Sequence, residues 1–523
     1  MAWLRAFGIL FCVAGVGSIA LFREAPAGQS MATGIVFHDK DGDRVRDTGE
    51  PGIAEVRVSN GSEIVKTGHD GRWRLPVGED TMFFVVKPRG WMTPLNHHNL
   101  PLFYYIHKPH GSPTVRFGGV APTGPLPASI DFPLSPQTEP DNFRAIFFGD
   151  TQPRDAREVD YITHDVIEPM IGKTDAAFGV TLGDVVYDDL SQFERINRAV
   201  ALIGIPWYNV LGNHDINYDG DSDEHSDETW ERLYGPNYYS FDYGPTHFVV
   251  LDDVNWHPAK GETRGRYTGT FGEKQLKWLE TDLSLVPNNQ LVVLMMHIPL
   301  HSTEDKERIF RLIESRPYAL SVSAHEHFQE HYFYAEKDGW KGPKPHHHIV
   351  NVTVCGSWWQ GAPDERGIPH TTMRDGAPNG YNIFSFDGNQ YSIEFRAAGR
   401  SEGYQMQIHA PDDVPTNEQT LFKVNVFGGN EKTKVEMRID EGGWSPIRQV
   451  RKFDPAYQDT FARETGLQAP FRRSPAPIAS SHLWEGLIPA GLSDGPHRLT
   501  VRATDMFGQV FTSVRLVHAV VNP

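Results

Sequence analysis

Cysteine is nearly absent from this chain: among 523 residues only Cys12 and Cys355 occur. Cys12 sits in an apolar N-terminal run, and Phe11 before it argues against a lipoprotein site. With that run removed, Cys355 stands alone and no internal disulfide can form. Basic residues are also few, 49 Lys and Arg against 67 Asp and Glu, for a formal net charge of −18. That balance speaks against nucleic acid as a partner, since non-specific affinity for it comes mainly from Lys and Arg on phosphates. It does not exclude a small anionic substrate where bound metals supply local positive charge. No internal repeat or low-complexity tract stands out.

Apart from the first residues, long apolar runs are missing too. Trp3-Leu4-Arg5 gives a short, singly charged start, Ala6 to Phe22 is apolar, and Ala25-Pro26-Ala27 forms a small-residue cleavage site. Residues 1–30 read as an export signal, with an uncleaved anchor over residues 6–22 as the second reading. Either places the body outside the cytoplasm, periplasmic or secreted. The length is too great for one core and suggests about three domains.

What is present is a series of short motifs, each after an apolar run. Arg144–Phe148 precedes Gly149-Asp150-Thr151-Gln152, and Ala176–Leu182 precedes Gly183-Asp184. Pro206–Leu211 precedes Gly212-Asn213-His214-Asp215, Leu291–Met296 precedes His297, and Tyr318–Ser323 precedes His325-Glu326-His327. Such runs suit strands covered on both faces. In open α/β sheets the ligand site lies beyond the carboxyl ends of the strands. Any one of these motifs is equally a turn or a helix cap. Five in succession, mixing carboxylates, amides and imidazoles, point to a two-metal hydrolytic site.

The series Asp150-x-Gln152, Gly183-Asp184, Gly212-Asn213-His214-Asp215, His297 and His325-x-His327 resembles the calcineurin-like metallophosphoesterase superfamily. The resemblance extends to a bacterial subgroup with additional N- and C-terminal β domains. It implies an α/β catalytic core of the αββα sandwich type over residues 138–402. All-β sandwiches would flank it over residues 31–137 and 403–523. It implies that Asp150, Gln152 and His327 hold one divalent metal ion, that Asn213, His297 and His325 hold the other, and that Asp184 bridges them. His214 would protonate the leaving oxygen and Asp215 would orient His214. Two departures stand out: Gln152 replaces the commoner His, and Ala324 replaces the usual Gly. An oxygen ligand at Gln152 hardens its site towards Mn, Fe or Mg and away from Zn, which stays compatible. Ala324 matters only if the backbone there demands Gly. Asp188 and Asp189 are either partners behind the ligands or helix caps.

Beyond the motifs, a Gly-, Trp- and Asp-rich segment runs from Gly356 to Tyr381. It resembles the corresponding segment of the same subgroup. Trp358, Trp359, Arg374, Asp375 and Asn379 are its candidate substrate contacts, the alternative being a structural loop with buried Trp rings. His346-His347-His348 looks metal-like but suits a strand entry better.

The flanks read as β. Gly34–Phe37, Val56–Ser59 and Phe83–Lys87 are strand-like, with Asn60-Gly61 and Asp70-Gly71 as turns. Asp39, Asp41, Asp43, Asp47 and Glu50 resemble a calcium loop without completing an EF-hand; a solvated acidic turn is the other reading. Towards the C-terminus Phe422–Val426, Lys434–Ile439 and Arg498–Ala503 alternate with period two, as in Ig- or fibronectin-like sandwiches. Asp454–Ser481 reads as an inserted loop able to reach the catalytic face.

The sequence thus describes an exported, two-metal phosphoesterase acting on mono- or diesters through metal-activated water. The competing reading is a cell-envelope binding protein with a catalytically silent central domain.

Overall fold

In the computed structural model, residues 30–259, 265–468 and 470–521 are described. The export or anchor segment lies outside them. Among the described residues no helix is long and apolar enough to cross a membrane.

Two sheets form the centre. One is five-stranded, in the order Trp207–Val210, Phe178–Leu182, Asn142–Phe148, Gly380–Asp387, Gln390–Ala397. Its first three strands are parallel and its last two antiparallel. The other is six-stranded, running Tyr239–Tyr243, Thr246–Val250, Leu291–Met295, Ala319–Ser323, His346–Val350, Glu330–Tyr334. Its four inner strands are parallel.

Why these strands read as continuous apolar runs is clear from their two faces. Ala145 and Phe147 join Phe248, Val293 and Val322 in the core between the sheets. Ile146 and Phe148 point the other way, onto Val159 and Ile162 of helix Ala156–Ile162 and Phe193 and Ile196 of helix Phe193–Ala201. On the far side Trp278 and Phe310 bring helices Gly272–Ser284 and Lys306–Ile313 against the second sheet. Four layers result, helix, sheet, sheet, helix, and every parallel strand is covered on both faces.

The N-terminal sandwich pairs two four-stranded sheets spanning Met31 to Pro136. Gly61 and Gly71 take positive φ (79° and 81°) at its two turns, as hairpin turns of Asn-Gly and Asp-Gly type require. Its core is continuous with that of the catalytic layers, and buried ion pairs reinforce the join. Arg57 meets Asp242 at 2.6 Å, and Lys108 meets Glu228 and Glu231 at 2.5 and 2.8 Å. The C-terminal sandwich pairs a four- and a five-stranded sheet around its own core of Val424, Trp484 and Val501. The stretch after Asp454 is not all loop. Asp454 caps helix Pro455–Thr465 by accepting the Tyr457 N–H, and Pro455 suits the first helical turn. Beyond this helix Arg472 reaches the catalytic domain and pairs with Glu158.

Candidate metal centre

The carboxyl ends of five parallel strands converge on one buried point. Asp150 and Gln152 follow Asn142–Phe148, Asp184 follows Phe178–Leu182, and Asn213 follows Trp207–Val210. His297 follows Leu291–Met295, and His325 and His327 follow Ala319–Ser323. Ligand atoms of Asp184, His297 and His325 lie within 4.8 Å of one another.

The backbone is bent to achieve this. Asp150, Gln152, Asp184, His325 and His327 all have positive φ, between 24° and 73°. Left-handed conformations in non-glycine residues are costly and gather at functional sites. The glycines of the motifs make room: a Cβ on Gly183 would lie 2.4 Å from His297 Nδ1, and one on Gly212 would lie 2.0 Å from the Asp184 backbone N. Ala324 is not among the positive-φ residues, so the conformation there does not demand Gly.

Hydrogen bonding tests whether these residues fit metal ions. His297 Nδ1 lies 2.8 Å from the Leu182 carbonyl, and His327 Nδ1 lies 2.6 Å from the Gly356 carbonyl. A carbonyl only accepts, so each Nδ1 carries the hydrogen and each Nε2 presents a lone pair. Yet His297 Nε2 faces Asp184 Oδ1 at 3.2 Å and Asn213 Oδ1 at 3.1 Å. His327 Nε2 faces Asp150 Oδ2 at 3.0 Å, a buried oxygen that accepts no hydrogen bond. Acceptors aimed at acceptors repel unless a proton or a cation stands between them. Imidazoles that donate their other N–H to backbone carbonyls are the usual form of metal-binding His. With only a proton available, burial works against a charged His297, but Asp184 and its neighbours outweigh it and push the ring up to about 10. The donor set fits divalent metals.

Gln152 differs from its implied role in one respect. Its Nε2 donates to Asp184 Oδ2 at 2.7 Å, and its Oε1 faces Cys355 Sγ at 3.6 Å. An amide's N and O are assigned from their surroundings; exchanging them would put the carbonyl oxygen beside Asp184, as a ligand role needs.

The expected pairing of His214 with Asp215 is corrected. Asp215 is fully buried, and its carboxylate accepts the backbone N–H groups of Val185, Val186 and Gly212 at 3.1, 3.0 and 2.9 Å. It ties the second motif to the third. The carboxylate that meets His214 is that of Asp188, its Oδ1 2.5 Å from His214 Nδ1. Asp188 itself has φ 60°, a turn that aims its side chain back at the site. Asp189 caps the short helix Leu190–Gln192 through the Ser191 N–H. Burial disfavours the charged His214 ring, but Asp184 and Asp188 outweigh it and raise its pKa. Tyr187 stacks on His214 at 4.4 Å between centroids, and the Arg154 guanidinium lies 4.4 Å above Tyr187. Arg154 also donates to the Trp358 carbonyl at 2.6 Å. Sequence reading missed Arg154 and Tyr187. Their only signal is adjacency, two residues after Gln152 and one before Asp188.

The Gly356–Tyr381 segment divides. Trp358 stacks on His327 at 4.0 Å, beside the centre. The other expected substrate contacts are engaged in hydrogen bonds within the protein. Trp359 is buried and donates to the Thr151 carbonyl at 3.1 Å. Asp375 is buried, accepts the Gln329 N–H at 3.0 Å and lies 2.9 Å from His482 Nε2. Asn379 donates to Asp165 and to the Val354 carbonyl, both at 3.1 Å. Arg374 donates to the Ala476 carbonyl at 3.0 Å. These contacts lock the loop and fasten the C-terminal sandwich.

His346, His347 and His348 are core residues, buried in strand His346–Val350. Ser321 lies 2.8 Å from His346 Nε2 and 2.7 Å from His348 Nδ1. His347 contacts His331 and Tyr391. Burial pushes His346 down to about 3, which keeps it neutral.

In the N-terminal sandwich, carboxylate oxygens of Asp39, Asp41 and Asp43 lie within 4.8 Å of one another. They also close their own turn: Asp39 accepts the N–H groups of Gly42 and Arg44, and Asp43 that of Val45. Glu50 accepts those of Lys40 and Asp47, while Asp47 accepts the Glu50 N–H through its carbonyl.

Comparison with known proteins gives three matches of one kind. The calcineurin-like phosphoesterase domain matches residues 143–329. The N-terminal part of calcineurin-like phosphoesterases matches residues 39–119, and the C-terminal part matches residues 348–511. No curated protein matches the chain. Among solved structures, a purple acid phosphatase from yellow lupin (Lupinus luteus) seeds is 15% identical, with 66% of this chain and 67% of that one covered, at a TM-score of 0.36. A superoxide reductase (neelaredoxin) from Ignicoccus hospitalis is 8% identical over 22% of this chain and 80% of its own, at a TM-score of 0.13. Matches over the N-terminal sandwich, the strand-end centre and the C-terminal region agree: the chain belongs to the calcineurin-like phosphoesterases, metal-dependent hydrolases of phosphate esters.

Proposed function

We propose that this phosphoesterase is exported, binds two divalent metals, and hydrolyses phosphate mono- or diesters by direct attack of water on phosphorus. The observation that carries the two-metal reading is the pair of rings, His297 and His327, whose Nε2 lone pairs face oxygen acceptors in two separate groups. Asp150, Gln152 and His327 form one group, and Asn213, His297 and His325 the other. Asp184 lies between them, within 3.2 Å of His297 through Oδ1 and 2.7 Å of Gln152 through Oδ2. Metals held there would act as Lewis acids on the phosphoryl oxygens and lower the pKa of a water to near neutrality.

The protein's own groups do the rest. Asp188 fixes the His214 ring through Nδ1, leaving Nε2 to give its proton to the departing oxygen. The raised His214 pKa favours the protonated form that this role requires. Trp358 and Tyr187, stacked on His327 and His214, wall the centre. Gln152 favours Mn, Fe or Mg over Zn in its group. Export rests on the pattern of residues 1–27.

The test is metal analysis of purified protein together with a panel of mono- and diesters. Bound metal with turnover on one class supports the reading and selects the substrate. Bound metal without turnover on any ester would favour the cell-envelope binding protein instead.

A further inference from the structure

A second group of ligand-type side chains lies away from the centre, at the seam between the N-terminal sandwich and the catalytic domain. We propose that His97, His98 and Glu194 form a separate site for a zinc-like divalent ion, which clips the sandwich to helix Phe193–Ala201. The site stands independently of the proposed hydrolytic function.

His97 and His98 belong to a tight turn between strands Trp91–Met92 and Tyr104–His107. Asn96 Oδ1 accepts the N–H groups of His98 and Leu100 at 2.8 and 3.1 Å, and Asn99 sits at φ 58°. The catalytic domain grips the same turn: Asn99 Nδ2 donates to the Ala201 carbonyl, and the Trp207 N–H donates to the Asn99 carbonyl, both at 3.0 Å. The turn is therefore fixed on both sides, as a preorganised site needs. Glu194 comes from the first turn of helix Phe193–Ala201. Ligand atoms of the three side chains lie within 4.8 Å of one another.

An independent observation points to a ligand. His98 is only 5% exposed, and its Nε2 is buried without a hydrogen-bond partner. It is aimed at Glu194 Oε1, 3.5 Å away. An orphaned buried nitrogen is costly in a native fold. A neutral imidazole in that position offers its lone pair to a cation. Arg198 donates to Glu194 Oε1 at 2.8 Å and holds the carboxylate in place, as outer partners of metal ligands do.

Two imidazoles and one carboxylate are a zinc donor set, with a fourth position left for water. Imidazole donors select Zn, Cu or Ni over the oxygen-seeking Mg and Ca. Tetrahedral ligands at zinc distances stand roughly 3.4 Å apart, so the group must tighten. His97 is exposed, and its ring lies 3.8 Å from that of His98 between centroids. The helix it would clip follows directly on the segment that carries Asp188 and Asp189.

The experiment is equilibrium dialysis of the full chain against zinc, with metal counted by mass spectrometry. Parent, His97→Ala and Glu194→Gln are compared; both changes are at surface side chains that leave the packing intact. Each variant should hold one zinc fewer per chain than the parent. The lost ion should bind at least about 100-fold more weakly, beyond the usual cost of disturbing an outer-shell partner. Hydrolysis of a nitrophenyl phosphate ester should be retained in both. An unchanged zinc count in either variant overturns the three-ligand site.

Discussion

Two polar clusters meet at His327, and they differ in how their hydrogen bonds close. In the strand-end cluster, imidazole lone pairs face carboxylate and amide oxygens, and Asp150 Oδ2 accepts no hydrogen bond. In the Gly356–Tyr381 segment, Trp359, Arg374, Asp375 and Asn379 each find a partner of the opposite kind. In sequence both are dense in the residues that chemistry uses. Native interiors pair nearly all their polar groups, so a cluster that leaves like facing like is poised for something not made of protein. The partnered side chains of the second cluster are scaffold, although Ser357 Oγ within it is buried without a partner.

The sharpest way to break this contrast is Asp184→Ala. Removing the carboxylate shared by both groups should abolish most metal binding and cut the rate by about 10⁴-fold or more, above the ordinary worth of a general acid. The fold should survive. Metal content and rate, measured on parent and variant, decide it; unchanged stoichiometry and rate would return Asp184 to the role of a turn residue.

Next in size is His214→Ala. A proton donor is worth about 10²–10⁴-fold where the leaving alcohol is basic. Alkyl phosphate esters should therefore lose far more rate than nitrophenyl esters, with metal content unchanged. Equal losses on both substrates would remove the acid assignment.

Smaller effects separate Asp188 from Asp215. Asp188→Asn should slow alkyl ester hydrolysis by about 10–100-fold, the usual scale for a group that orients another, and should narrow the gap between alkyl and nitrophenyl substrates. Asp215→Asn should act mainly on stability, because its carboxylate holds three backbone N–H groups. If Asp215→Asn reproduced the substrate-dependent loss and Asp188→Asn did not, the original pairing of His214 with Asp215 would be restored.

On the scaffold side, Asp375→Ala should lower stability by about 1–3 kcal/mol for each partner left unpaired and leave kcat nearly untouched. Thermal melts alongside kinetics test this. A large fall in kcat at unchanged melting temperature would make the segment a substrate surface after all.

Much of the central architecture was legible because burial on two faces writes itself into sequence as unbroken apolar runs. Ala145–Phe148, Phe178–Leu182 and Leu291–Met295 lie in such strands, and the motifs after them fall where α/β sheets place their ligands. What was hidden depends on backbone turns and distant contacts. Asp188 meets His214 across the motif loops, with positive φ at both Asp184 and Asp188. Asp215 looked like its neighbour's partner, but its carboxylate points to the backbone of another loop. Asp375 meets His482 across more than a hundred residues, and His97, His98 and Glu194 come together only at a domain seam. No local spacing encodes such meetings.

The central claim is that two divalent metal ions bridge the strand-end acceptors. Its most direct test is to strip the full chain with a chelator and titrate manganese back, following bound metal and ester hydrolysis together. The account predicts no activity in the stripped protein and a rate that saturates as two manganese ions bind per chain. Full activity in the stripped protein, or two bound ions with no hydrolysis of any ester, would contradict it.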